Sequence, residues 1–81
     1  MTREEVFEGL KEILHAIRPN TDLSKANYDT ELVRELGVDS LTMLVLSLAA
    51  EEKFGMHFAD GAPLPTTVGE VCDAVLAAQK N

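Results

Sequence analysis

Ser40 is the residue of this sequence best placed for chemistry. It stands in the run Leu36-Gly37-Val38-Asp39-Ser40-Leu41, where a loop ends and a long apolar helix begins. A helix start leaves backbone N–H groups unpaired and carries partial positive charge. A serine there has two chemical uses, as a nucleophile or as the bearer of an anionic group such as a phosphate, which the helix start favours. Nucleophilic use needs an adjacent base. His15 and His57 are the only histidines; the first falls on the polar side of a helix, the second in a loop, with no orienting carboxylate signalled by spacing. No Gly-x-Ser-x-Gly elbow surrounds Ser40. There is no Gly-rich phosphate loop, no EF-hand spacing and no cluster of metal ligands. Cys72 reads as a small core hydrophobe. Ser40 is therefore read as a residue that is modified, in a chain without catalytic activity of its own.

Helical periodicity supplies the elements that must position this serine. Thr2 and Glu5 form a capping box ahead of Val6, Phe7, Leu10, Ile13, Leu14 and Ile17, which share one helical face. Arg3, Glu8, Lys11, Glu12 and His15 lie off it, and Pro19-Asn20 ends the helix near residue 18. Residues 19–38 make a long connection rich in turn formers, with Leu23, Tyr28, Leu32, Val33 and Leu36 as apolar pegs beneath it. Glu31 to Leu36 read as a short helical turn ended by Gly37 in a left-handed conformation. The second helix runs from about Ser40 to Phe54, capped by Asp39 and closed by Gly55. Met56 to Pro65 is irregular, and the stretch 59–65 is too rich in Gly and Pro for a good helix, so that a turn or a short helix both remain open. Thr67 and Glu70 form a second capping box, and Val68, Val71, Cys72, Val75 and Leu76 share the inner face of the last helix. The fold class that follows is all-α, a small three- to four-helix bundle with a long first loop, over residues 1–81 as one domain.

Size and charge exclude several functions. With 81 residues the core is small and a deep enclosed active site is not expected. Fourteen acidic residues against seven basic ones give a net charge of −7, which disfavours nucleic acid and anionic membrane surfaces as partners. The same charge attracts proteins with basic patches, or serves solubility alone. There is no secretory signal, no apolar run long enough to span a membrane, and one cysteine, so a freestanding cytoplasmic protein is the expectation.

The second helix is apolar almost all round. Met43, Leu46, Ser47, Ala50 and Phe54 fall on one side, and Leu41, Leu44, Val45 and Leu48 on the other. One side faces the core. The other is either covered by the long loop or exposed beside Ser40 as a docking stripe.

Leu36-Gly37-Val38-Asp39-Ser40-Leu41, followed by an apolar helix ending Ala50-Glu51-Glu52-Lys53-Phe54-Gly55, resembles the acyl carrier protein family. The likeness extends over nearly the whole chain, to the closing Thr66-Thr67-Val68 helix. It implies that Ser40 carries 4′-phosphopantetheine, transferred from coenzyme A by a phosphopantetheinyl transferase. Acyl groups would ride as thioesters on the thiol of that arm. Asp39 and Leu41 would contribute to recognition by the transferase, Asp39 also or only as a helix cap. The partners implied are the acyl-transferring and condensing enzymes of a synthase, met by a monomeric carrier. In the family, the second helix and the segment after it border the pocket that shelters the acyl chain. Ser47 and Ala50 leave room there, or Met43 and Phe54 fill it.

The chain departs from members that serve fatty acid synthases. Those carry acidic residues along the exposed start of the second helix, where Thr42 and Val45 stand here. Docking near Ser40 is therefore expected to be hydrophobic, through Leu41, Thr42, Val45 and Leu48, with Glu51 and Glu52 supplying steering. A polyketide or specialised lipid pathway fits at least as well as fatty acid synthesis. A carrier of aminoacyl or peptidyl groups is the alternative within the class, and a non-carrier helical interaction module the alternative outside it.

Overall fold

The computed structural model describes residues 1–58 and 64–79. Three helices account for the regular structure of these residues: α1 (Arg3–Ile17), α2 (Ser40–Phe54) and α3 (Val68–Gln79). The residues predicted to start and stop them do so. Thr2 Oγ1 accepts the Glu5 amide while Glu5 accepts the Thr2 amide, so both halves of the first capping box form. Arg18 ends α1, and Gly55 closes α2 in the left-handed region. At α3 the Glu70 amide donates to Thr67 Oγ1 as expected, but the Glu70 carboxylate reaches back to the Thr66 amide rather than to that of Thr67.

α1 packs against both α2 and α3. Val6, Leu10, Ile13 and Leu14 of α1 meet Met43, Leu46, Ala50 and Phe54 of α2 and Val68, Val71, Cys72 and Val75 of α3 in one core. Apolar contact of this kind, more than helix propensity, holds short helices together in water.

The long connection is stitched to the start of α3. The Val68 amide donates to Thr30 O, the Gly69 amide to Tyr28 O, and the Leu32 amide to Thr66 O. Carbonyls of the loop thus satisfy amides that the first turn of α3 would leave unpaired. The approach is close enough to need glycine. A Cβ at Gly69 would lie 2.8 Å from Tyr28 O and 2.9 Å from Arg3 Nη2. That arginine sits over the Tyr28 ring at 4.1 Å and pairs with Asp73 at 3.2 Å, so it has little freedom to retreat. Gly69→Ala should therefore lower stability by about 1–3 kcal/mol, the usual cost of overpacking, measurable as a lower urea midpoint with unchanged slope.

One apolar peg is misplaced by the sequence reading. Leu23 and Tyr28 are partly buried, and Leu32, Leu36 and Val38 are buried, but Val33 is exposed. The Glu35 amide reaches Glu31 O, so residues 31–36 do form a helical turn. Leu32 and Leu36, four apart, share its inner side, and Val33 points elsewhere. Of the irregular stretch 59–65, residues 59–63 lie outside the described residues, and so does the choice between turn and helix there.

Candidate functional site

The approach to Ser40 is fixed from both sides. Upstream, the Val38 amide donates to Leu32 O while the Val38 side chain is fully buried. Gly37, at φ 68°, makes the reversal that lets Leu36 and Val38 both enter the core. Downstream, Asp39 caps α2: its Oδ1 accepts the Thr42 amide at 2.8 Å, and its carbonyl accepts the Met43 amide. Hydrogen bonding from Thr42, chiefly its backbone amide, holds the Asp39 carboxyl below its ordinary range, and the charge of Arg18 adds to this. Ser40 is the first residue of α2 and is exposed. Its hydroxyl has no hydrogen-bond partner among the described residues, and the first turn of α2 carries no acidic side chain.

Neither histidine serves this hydroxyl. His15 lies on the exposed side of α1. His57 has a carboxylate partner that spacing did not signal, since its Nδ1 lies 3.3 Å from Glu51 Oε2. That pair, however, sits at the far end of α2. The helical rise from Ser40 to Glu51 is about 16 Å. Glu51 also accepts the Phe58 amide at 2.9 Å, so this carboxylate pins the chain that leaves α2. Glu52, by contrast, is exposed and takes part in no ion pair among the described residues.

The outer side of α2 is uncovered. Leu41, Leu44, Val45 and Leu48 are 72%, 57%, 41% and 58% exposed, so the long loop packs against α3 instead of shielding this face. Thr42 is half-buried at the edge of the strip. Next to this strip, and sharing Leu44 and Leu48 with it, an open, largely apolar groove begins one turn below Ser40. Met43, Leu46, Ala50, Phe58, Val71 and Ala74 are among its lining residues. Ser47 also lines it, with its hydroxyl donated to Met43 O at 2.9 Å, so this polar atom is already satisfied.

The protein's own thiol is withdrawn from chemistry. Burial pushes the Cys72 thiol up to about 11, and the side chain is fully buried. Below that value it stays protonated and inert, because the thiolate is the reactive form. Titration with an aromatic disulfide reagent at pH 8 should find no fast thiol in the unmodified native protein and one per chain after denaturation.

A family model described as "Phosphopantetheine attachment site" matches residues 5–75. Curated relatives agree with it. An acyl carrier protein of Tropheryma whipplei (strain Twist) is 31% identical over 80 residues, covering 98% of this chain and 96% of the relative. One of Acidothermus cellulolyticus is 35% identical over 78 residues, covering 93% and 89%. One of Helicobacter pylori (strain G27) is 36% identical over 55 residues, covering 68% and 69%.

Proposed function

The chain belongs to the acyl carrier protein family, and from that membership we propose that it is a freestanding carrier domain, loaded with 4′-phosphopantetheine on Ser40. The observation that carries this reading is an exposed serine hydroxyl, without a partner among the described residues, at the first position of α2 and inside the span of the matching family model. The residues fit the group. The N-terminal turn of α2 offers its dipole to a phosphate, and the one carboxylate at that helix start is the capping Asp39 just before it, engaged with the Thr42 amide. When attached, the arm supplies a flexible tether ending in a thiol that holds acyl groups as thioesters.

Loading needs little from this chain beyond presentation. Ser40 Oγ bonds to the phosphorus that bears pantetheine in coenzyme A, adenosine 3′,5′-bisphosphate leaves, and the serine proton passes to a base of the transferase. Asp39 holds the helix start in place with its hydrogen bond to Thr42. Asp39 and Leu41 flank the serine within reach of the transferase. The inert Cys72 leaves the arm's thiol without a competitor in the native protein. Tethering raises the effective concentration of the cargo at a docked enzyme, and the groove beside α2 offers an apolar chain shelter between dockings.

The uncovered strip Leu41, Leu44, Val45 and Leu48, with Thr42 at its edge, supports a docking face that is apolar next to Ser40. Glu51 and Glu52 at the far end supply steering, Glu52 with the freer carboxylate. The partners in this reading are fatty acid, polyketide or specialised lipid enzymes, the apolar face making a polyketide or specialised lipid synthase at least as good a fit as a fatty acid synthase.

The test is direct. Incubation with coenzyme A and a broad-specificity phosphopantetheinyl transferase should raise the intact mass by one phosphopantetheinyl group. No increase, while a control carrier is modified in parallel, sinks the carrier reading.

A further inference from the structure

The C-terminal end of α1 brings a cation to the loop ahead of Ser40. Arg18 is the C-cap of α1, its amide bonded to Leu14 O. Its side chain is half-buried and reaches across to the loop ahead of Ser40, where Nη2 lies 3.7 Å from the position a Cβ on Gly37 would take. Four other basic side chains have carboxylate partners: Arg3 with Asp73, Lys11 with Glu8, Arg34 with Glu31, and Lys53 with Glu12. Arg18 forms no ion pair among the described residues, and its charge is felt at Asp39.

We infer that Arg18 is a positioning residue that holds the phosphate of the arm on Ser40, an inference that rests on the carrier reading above. Loading adds an anion beside the Asp39 carboxylate, on a chain whose net charge is already −7. Two adjacent anions repel unless a cation lies between or against them. Arg18 approaches from the Gly37 side, where glycine leaves its flank open. A guanidinium is suited to the task, because its planar fork donates to two phosphate oxygens at once and stays charged at every working pH. The arm's root would thereby be held toward α1, which sets the direction in which the rest of the tether leaves the surface.

Three measurements on loaded and unloaded protein test this. Intact mass first establishes that the arm is present. The Arg18 Nε–Hε resonance of the wild type should shift on loading, and the phosphorus resonance of the arm should differ between wild type and Arg18→Gln. The loaded-minus-unloaded difference in Tm should be larger in the wild type than in Arg18→Gln by about 4 °C, the shift that a modest charge-assisted contact gives a domain of this size, with Arg18→Lys in between. If loading leaves the Arg18 resonance in place and both other readouts match between wild type and Arg18→Gln, the inference is wrong. Arg18 then merely caps α1, and its loss lowers both forms equally. A wild type that gains no arm overturns the carrier reading and this one together. A wild type that gains the arm without any dependence on Arg18 overturns this one alone.

Discussion

Ser40→Ala should fold as the wild type does and gain no mass from coenzyme A and transferase. The fold survives because nothing rests on the hydroxyl. It is exposed and has no partner among the described residues, and the cap of α2 is made by Asp39 and Thr42 on either side of it. Alanine is also at ease in a helix, so Tm should stay within the small range of surface substitutions, about 0.5 kcal/mol in stability. Loading, in contrast, should be lost completely, because the other two serines are already engaged. Ser24 Oγ donates to Asp22 Oδ1 at 2.6 Å, and half-buried Ser47 donates to Met43 O. The experiment needs both readouts. A loss of loading with an unchanged Tm assigns the arm to Ser40, whereas a mass gain that persists in Ser40→Ala moves the attachment elsewhere. Thiol titration gives a third check: one fast thiol should appear on loading the wild type and none in the variant, since Cys72 stays buried in both.

The elements that place the candidate site are legible in the sequence where their causes are local. Helix limits follow from Thr2, Pro19, Asp39 and Gly55, each acting within a turn of its own position. The inward faces of α1 and α3 follow from spacing alone. What the sequence could not give depends on where separate elements meet. Whether the loop covers the outer side of α2 turns on the loop's hydrogen bonds to α3, made by Tyr28, Thr30 and Leu32 to residues more than thirty positions away. Val33 is exposed, and in sequence an apolar loop residue looks the same whether it points in or out. The partner of His57 has no signature in spacing, because Glu51 reaches it only after the chain reverses at Gly55. Arg18 carried no signal at all: its relation to Gly37 exists only once α1 and the loop are packed together.

Glu51 illustrates how such placement alters a functional reading. As a carboxylate at the end of α2 it is equivalent in sequence to Glu52. In the structure it holds the Phe58 amide and lies against His57, beside the groove, while Glu52 faces solvent. Charge reversal at Glu51 would therefore disturb the chain leaving α2 as well as any docking. Glu52→Lys is the cleaner probe of steering, and as an exposed charge it should act mainly on association rate and its salt dependence.

The second large effect expected is at Val45. Val45→Asp should lower transfer from the loaded carrier to its cognate enzyme by about 30-fold, equivalent to about 2 kcal/mol, while leaving Tm and loading of Ser40 nearly unchanged. Val45 lies on the open side of α2, away from the core, so the folded state accommodates the carboxylate in solvent. At an apolar interface the same carboxylate would be desolvated without a partner, and a buried central contact of this kind costs 2 kcal/mol or more. The sign of the effect separates the two classes of partner. An enzyme that docks through a basic patch would gain a favourable charge from Val45→Asp, and transfer would hold or improve. An enzyme that docks through an apolar patch, as the strip from Leu41 to Leu48 suggests, would lose it. Measured beside Glu52→Lys at two salt concentrations, a large, salt-independent loss for Val45→Asp and a small, salt-dependent one for Glu52→Lys would establish apolar docking next to Ser40 with electrostatic steering at the far end. Intact transfer by Val45→Asp would show that the hydrophobic docking proposal is wrong.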